Sequence, residues 1–155
     1  MFFTASGSTL EIGSIRPDWR ARQVVASDFD GDVWTPVAGL SSLGRIAGEW
    51  QIQEVSFPDG SAPDEPQIPT IDKVARPALA MQIIAGIVED DAGQGMMMQA
   101  EASVDAFSFR LSTPDGSRRQ FIALVIVADQ TFDEANSVLS WSFSLRLQSN
   151  IQRGA

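Results

Sequence analysis

The stretch Leu139–Gln148, LSWSFSLRLQ, decides how the rest of the chain is read. Leu139, Trp141, Phe143, Leu145 and Leu147 are apolar, and the residues between them, Ser140, Ser142, Ser144 and Arg146, are polar, as is Gln148. Successive strand side chains point to opposite faces, so a period of two predicts a half-buried β-strand. A helix would scatter the same apolar residues around its circumference. One face of this strand belongs to a core. The other is small, wet and nearly uncharged. It suits the skin of a β-sandwich or the wall of a water-filled pore, and the pattern leaves both open.

Upstream, Arg119–Val127 (RQFIALVIV) is an apolar strand, and Phe107–Thr113 alternates with Phe107, Phe109 and Leu111 inward. Between them Pro114-Asp115-Gly116-Ser117 is a turn, because proline presets φ and glycine tolerates φ > 0. The two stretches therefore make a hairpin, and an acidic loop, Asp129–Asn136, leads on to the opening stretch. Before the hairpin lies the one good helical pattern, about Gln94–Ala106, with Met97, Ala100 and Val104 as its buried stripe and an aspartate of Glu89-Asp90-Asp91 as its cap. Met96–Met98 reads as gap-filling core. Ala78–Val88 is nearly all apolar, as a strand covered on both faces or in a subunit contact would be. Pro58–Pro77 holds five prolines and no usable period, so it reads as a long extended arm or a disordered insertion.

Glu49–Phe57 (EWQIQEVSF) is a strong strand pattern, with Trp50 and Ile52 on one face and Glu49, Gln51 and Gln53 on the other. Val55 and Phe57 change parity, which suggests a bulge near Gln53–Glu54 or burial of both faces at that end. Val33–Leu40 is a short extended piece that Pro36 confines to an edge or a bulge. Ile15–Asp32 is irregular or weakly stranded, and Thr9–Gly13 is a short strand with Leu10 and Ile12 on one face. Residues Met1–Ser8 read as a mobile arm in which Phe2 and Phe3 either seek a partner or tuck onto their own domain. The polar tail Ser149–Ala155 is expected to fray. About seven strands and one helix within 155 residues predict a single domain, 1–155, of mainly β (α+β) class: a small antiparallel β-sandwich or barrel.

The composition excludes much chemistry. The chain lacks cysteine, histidine and tyrosine, which removes disulfides, thiolate metal sites and the commonest general bases. A net charge of −9 argues against a surface that grips nucleic acid, though not against one that lets it slide past. No stretch reads as a secretory signal or a membrane helix. The sharpest ligand candidate is Asp28, Asp30 and Asp32 around Gly31. Counted as a calcium loop from Asp28, its sixth residue is Val33 and its twelfth Gly39, so the pattern fails and an ordinary turn is expected. No catalytic, cofactor or metal residue is assigned, and the chain does not read as an enzyme.

The order of motifs resembles the major tail tube protein of long-tailed, siphovirus-type bacteriophages. Trp34-Thr35-Pro36-Val37-Ala38-Gly39-Leu40 leads through Ser42-Leu43-Gly44-Arg45-Ile46 to Gly48-Glu49-Trp50. A long arm follows, then an apolar strand ending in Asp90-Asp91-Ala92-Gly93, one helix, the Pro114-Asp115-Gly116 hairpin and the alternating C-terminal strand. Where the family often carries a Gly-Leu-x-Asp-x-Gly segment, this chain reads Lys73-Val74-Ala75-Arg76-Pro77.

The resemblance implies a structural virion protein. Its hexameric rings would join inner sheets into a continuous β-barrel and stack into a hollow conduit for DNA ejection. It implies contacts between rings through the long loop, 58–77, and through the chain ends. On this reading Glu49, Gln51 and Gln53 face the lumen. Phe2, Phe3, Asp59, Asp64, Glu65, Ile68, Ile71, Lys73, Arg76, Arg45, Arg118 and Arg119 meet neighbouring subunits. The expected partners are further copies of the chain, a tape measure protein inside the tube, a terminator and a distal tail protein. DNA passes without specific binding, no membrane is involved, and assembly takes place in the bacterial cytoplasm. The alternatives are a secretion-system tube, a tail terminator ring, a monomeric β-sandwich module binding calcium or sugar and, last, an enzyme using carboxylates alone.

Overall fold

The computed structural model describes residues 7–55, 70–132 and 139–154. Its strands are β1 (Thr9–Arg16), β2 (Thr35–Pro36), β3 (Leu40–Ser42), β4 (Gln51–Val55), β5 (Thr70–Ala75), β6 (Ala80–Gly86), β7 (Ala106–Ser112), β8 (Arg118–Thr131), β9 (Ser140–Leu147) and β10 (Gln152–Gly154). One α-helix, α1 (Ala92–Ala102), precedes β7, and a 3-10 turn spans Ala26–Phe29. Eight strands form one sheet in the order β2-β1-β7-β8-β9-β6-β3, with β10 also on β8, and every pairing is antiparallel. β4 and β5 form a separate two-stranded sheet.

The long strand β8 organises the molecule. Its first part pairs with β7 as far as Phe107↔Ala123, and its second part pairs with β9 from Ala123↔Leu147 to Thr131↔Ser140. A bulge between Val125 and Val127 re-aims the second part. β8 is thus shared by two half-sheets, β2-β1-β7-β8-β10 and β8-β9-β6-β3. The core unites Leu10, Ile12, Phe109 and Phe121 of the first with Ile83, Phe143 and Leu145 of the second, under Met97 and Ala100 of α1. Each of these side chains other than Ala100 contributes about 1.5–3 kcal/mol on burial. In β9 the alternation holds: Trp141, Phe143, Leu145 and Leu147 are buried and the serines between them are not. Leu139, one residue before the strand, is exposed.

The irregular segment after β1 covers the second face of the first half-sheet. Val24 and Phe29 pack on Ala106 and Ile122, with Trp19 and Trp34 beside them. Asn150 holds this cover by accepting from the Val24 N–H at 2.6 Å and donating to the Val24 carbonyl at 3.2 Å.

Several expectations need correction. The helix ends at Ala102, and Val104 is 93% exposed, because Ser103 has already left the helix in an extended conformation. The tail does not fray throughout, since β10 pairs with Arg118–Gln120 of β8. The 58–77 loop is not structureless to its end: Thr70–Ala75 lies between Pro69 and Pro77, is free of proline, and forms β5 against β4. The irregularity expected near Gln53–Glu54 falls between Gln51 and Ile52. Residues Met1–Ser6 and Ser56–Pro69, with the expectations that fall on Phe2, Phe3, Asp59, Asp64, Glu65 and Ile68, lie outside the described residues.

Candidate functional site: an open sheet and a projecting hairpin

The half-sheet β8-β9-β6-β3 has two open edges among the described residues. β7 pairs with β8 only as far as Phe107↔Ala123, so the following eight residues of β8, Leu124–Thr131, have a strand on one side only. At the other end β3 pairs with β6 and carries no further strand. An open edge presents unpaired N–H and C=O groups and is a template for another chain. On the first half-sheet the matching edge is blunt, since β2 has two residues and one is Pro36.

The outward face of this half-sheet is polar and small. Ser140, Ser142 and Ser144 of β9 lie beside Gln82 of β6, whose amide donates to Ser142 Oγ at 2.9 Å. Arg146 is the one charged side chain in this row of β9. A shallow groove of about 800 Å³ runs across the face and is lined by Gln82, Ser144 and Arg146 with Arg45 and Glu49. Ile84 and Ile126 are its exposed apolar members.

β3 and β6 are the lower half of one long hairpin. Leu40↔Ala85, Ser42↔Ile84, Ala47↔Ala80 and Gln51↔Ala75 succeed one another up to Val55↔Thr70, with register shifts between Leu40 and Ser42 and between Gln51 and Ile52. The lower half is docked on the sheet. The upper half, β4–β5, is exposed at every position from Thr70 to Ala75. Opposed residues share a face, so Trp50, Ile52 and Ile71 lie with Lys73 and Glu54 on one side. Ile52 is 62% and Ile71 55% exposed, and Lys73 and Arg76 sit over the Trp50 ring at 5.1 and 5.9 Å. Gln51 and Gln53 face the other way, in line with Glu49. Glu49 and Arg45 therefore reach the sheet groove, whereas Ile71, Lys73 and Arg76 belong to the hairpin. Arg76 also lines a second groove, of about 690 Å³, with Arg22 and Arg153. Arg118 and Arg119 lie at the start of β8, opposite Gly154 and Arg153 of β10.

The aspartate cluster has a structural use. Asp32 receives both terminal nitrogens of Arg16 at 2.8 Å, and its side chain is 3% exposed, so it is not a solvated turn residue. Asp28 accepts from the Val25 N–H at 2.8 Å; that bond, with Arg22 nearby, holds its carboxyl below the usual range. Among the described residues no group of three or more carboxylates is gathered for a metal. A second bidentate pair joins Arg110 to Glu11 across β7 and β1, at 2.6 and 3.1 Å, and the Arg110 guanidinium lies 4.7 Å from the centre of the Trp34 ring. The sequence gives no sign of these long-range pairs, because their partners meet only once the sheet is built.

No protein-family model and no curated protein matches the chain. Solved structures do. A chain in the tail of an empty GTA particle, computed with helical refinement and C6 symmetry, superimposes with a TM-score of 0.58 at 14% identity, covering 79% of this chain and 87% of that one. The fold is a tube-protein fold. The SPP1 tail tube matches with a TM-score of 0.54 at 10% identity, over 99% of this chain and 80% of that one. A chain in the sheath/tube terminator of the extracellular contractile injection system PVC matches with a TM-score of 0.61 at 8% identity, over 100% and 98%. At such identities the likeness carries the fold alone, and the tube-protein fold expected from the motif order is the fold observed.

Proposed function

We propose that this chain is the structural subunit of a bacteriophage tail tube of the siphovirus type. Six copies close into a ring, rings stack, and the hollow stack conducts the genome during ejection. The observation that carries this reading is the β8-β9-β6-β3 half-sheet, with two open edges and a polar outer face. Joining the Leu124–Thr131 edge of one copy to the β3 edge of the next removes both edges at once and closes a barrel. The serine face then lines the lumen together with Glu49, Gln51 and Gln53. This wall carries two cations, Arg45 and Arg146, beside Glu49 and the small serines, in a chain of net charge −9, so it does not grip phosphate as a basic surface would.

Arg45 of the groove and Arg118 and Arg119 beside β10 are assigned to subunit contacts, as are Phe2, Phe3, Asp59, Asp64, Glu65 and Ile68. The tape measure protein occupies the lumen before ejection, and a terminator and a distal tail protein close the two ends. Assembly takes place in the host cytoplasm, and the product is part of the virion tail. The role is structural, not enzymatic.

The likeness to a chain of the PVC terminator assembly favours one second reading, a single capping ring instead of a repeated one. Sedimentation velocity and negative-stain microscopy of the purified chain over a concentration series test both. Hollow tubes support the tube subunit, isolated sixfold rings that never stack support the cap, and a monomer at every concentration contradicts both.

A further inference from the structure

The cations of this acidic chain are not spread evenly. Its lysines and arginines number 11 against 20 carboxylates, yet Arg22, Arg76 and Arg153 line the groove of about 690 Å³, and no carboxylate is among its lining residues. The Arg22 guanidinium is held in place: it lies 4.3 Å from the centre of the Trp19 ring and donates to the Gln23 carbonyl at 3.1 Å, with Asp28 at 3.5 Å. The register of β10 brings in a fourth arginine, because Arg153 stands directly opposite Arg119 of β8. Opposed residues of antiparallel strands share a face with Cβ atoms about 4.5–5.5 Å apart, and like charges so placed destabilise the pair. Among the described residues, Arg76, Arg119 and Arg153 form no ion pair with a carboxylate. Other polar side chains of the groove are already engaged. Asn150 holds both backbone groups of Val24, and Ser149 accepts from the Ile122 N–H and donates to the Asn150 carbonyl.

We propose that this groove binds a phosphate-type oxyanion through Arg22, Arg76 and Arg153, with Arg119 opposite Arg153. A guanidinium meets phosphate oxygens with paired N–H donors, and it keeps its charge at any working pH. The bound anion removes the repulsion between Arg119 and Arg153, which no described carboxylate offsets. The ligand is compact, because a long polyanion would have to cross a surface of net charge −9. A free phosphate and the phosphodiester of a nucleic acid offer the same chemistry, and the experiment below separates them. Arg22 belongs to the segment that covers the first half-sheet, Arg153 to β10 and Arg76 to the foot of the β4–β5 hairpin, so an occupied groove ties together parts far apart in the chain. The site belongs to the single chain and does not rest on the tube reading.

Thermal melts of the full chain at low salt test the site, with pyrophosphate and a short oligothymidylate as the two probes. Pyrophosphate at millimolar concentration is expected to raise Tm saturably by about 3 °C or more beyond the change that sodium chloride causes at the same ionic strength. A rise with the oligothymidylate alone assigns the same site to a phosphodiester. In either case the double variant Arg76→Gln with Arg153→Gln, checked for a native circular dichroism spectrum, is expected to lose the rise. A rise retained in that variant, or absent from the unaltered chain with both probes, overturns the proposal. A second measurement needs no ligand. Arg153→Gln alone relieves the opposed pair, so it is expected to raise Tm at low salt, by an amount that shrinks as salt is added. An unchanged or lower Tm would show that Arg119 and Arg153 do not repel, and would also overturn the proposal.

Discussion

Gln94 is the most heavily used polar side chain of the interior. It is 2% exposed; its amide donates to the carbonyls of Ala38 and Gly86, both at 2.8 Å, and its oxygen accepts from the Val88 N–H at 3.1 Å. Asp91 caps the helix by accepting from the Gln94 N–H at 2.9 Å and also accepts from the Ala38 N–H at 3.2 Å. Together they fasten α1 to the end of β6 and to the β2–β3 connection. Gln94→Leu keeps the bulk but strands these groups, and is expected to cost about 2–4 kcal/mol in urea unfolding. The capping aspartate was legible in Glu89-Asp90-Asp91. The spacing Asp91-x-x-Gln94 could also have marked the glutamine, but its side chain serves two distant carbonyls instead of the cap.

Two glycines of the same helix make opposite predictions. A Cβ on Gly93 would collide with the Pro36 carbonyl, which is backbone and does not yield, so Gly93→Ala is expected to destabilise by about 1–3 kcal/mol or more. Gly95 faces open space, and Gly95→Ala is expected to stabilise by about 0.5–1 kcal/mol. Urea midpoints of the two variants measure both. A reversed order would contradict the packing of α1 on β2.

Two aspartates titrate with a definite sign. Asp115 accepts from the Thr113 hydroxyl and from the hydroxyl and N–H of Ser117, which lowers its pKa; Asp28 is lowered chiefly by the Val25 N–H. A depressed folded value means stability that is complete above the unfolded value, about 3.9. It is lost as pH falls through the folded values. Asp115→Asn is therefore expected to flatten the acid limb of a stability–pH curve and to leave pH 6–8 slopes unchanged.

At the scale of elements, β4 and β9 carry the same period of two and meet opposite fates. In β9 the apolar face is buried by the chain itself; in β4 it is left in solution. Phe143→Ala is expected to cost about 3–5 kcal/mol of folding stability. Ile52→Ala is expected to change it by less than about 0.5 kcal/mol and to register in assembly instead. Thermal melts of the two variants, beside sedimentation at high concentration, separate the effects. Alternation in a sequence states that a face is covered, not by what, which is why EWQIQEVSF was legible as a strand and not as a projecting hairpin. For the same reason β5 was hidden by the prolines around it. The two-residue β2 and three-residue β3 are shorter than any window in which a period is visible. The cover built by Val24 and Phe29 has no period at all, because it packs from irregular backbone onto strands far along the chain. The 14-residue β8 was read as the nine-residue stretch Arg119–Val127, since its later half passes from apolar to mixed character beyond the bulge.

At the scale of the whole molecule, an acidic chain places its small polar residues on the one half-sheet whose edges are free. The sequence pattern of Leu139–Gln148 allowed a sandwich skin or a pore wall, and a single subunit holds both possibilities: a sandwich-like core behind, an unclosed wall in front. Under the proposed function, closure by identical neighbours is the step that no single chain displays. The most direct test is a reconstruction by electron cryo-microscopy of particles assembled from the full chain. The account predicts a hollow sixfold ring or tube in which β8 of each copy pairs with the β3 edge of the next, with Ser140, Ser142 and Ser144 on the inner wall and Trp50 and Ile52 away from it. A ring with the serine face outward, or with Trp50 and Ile52 in the channel, would contradict it.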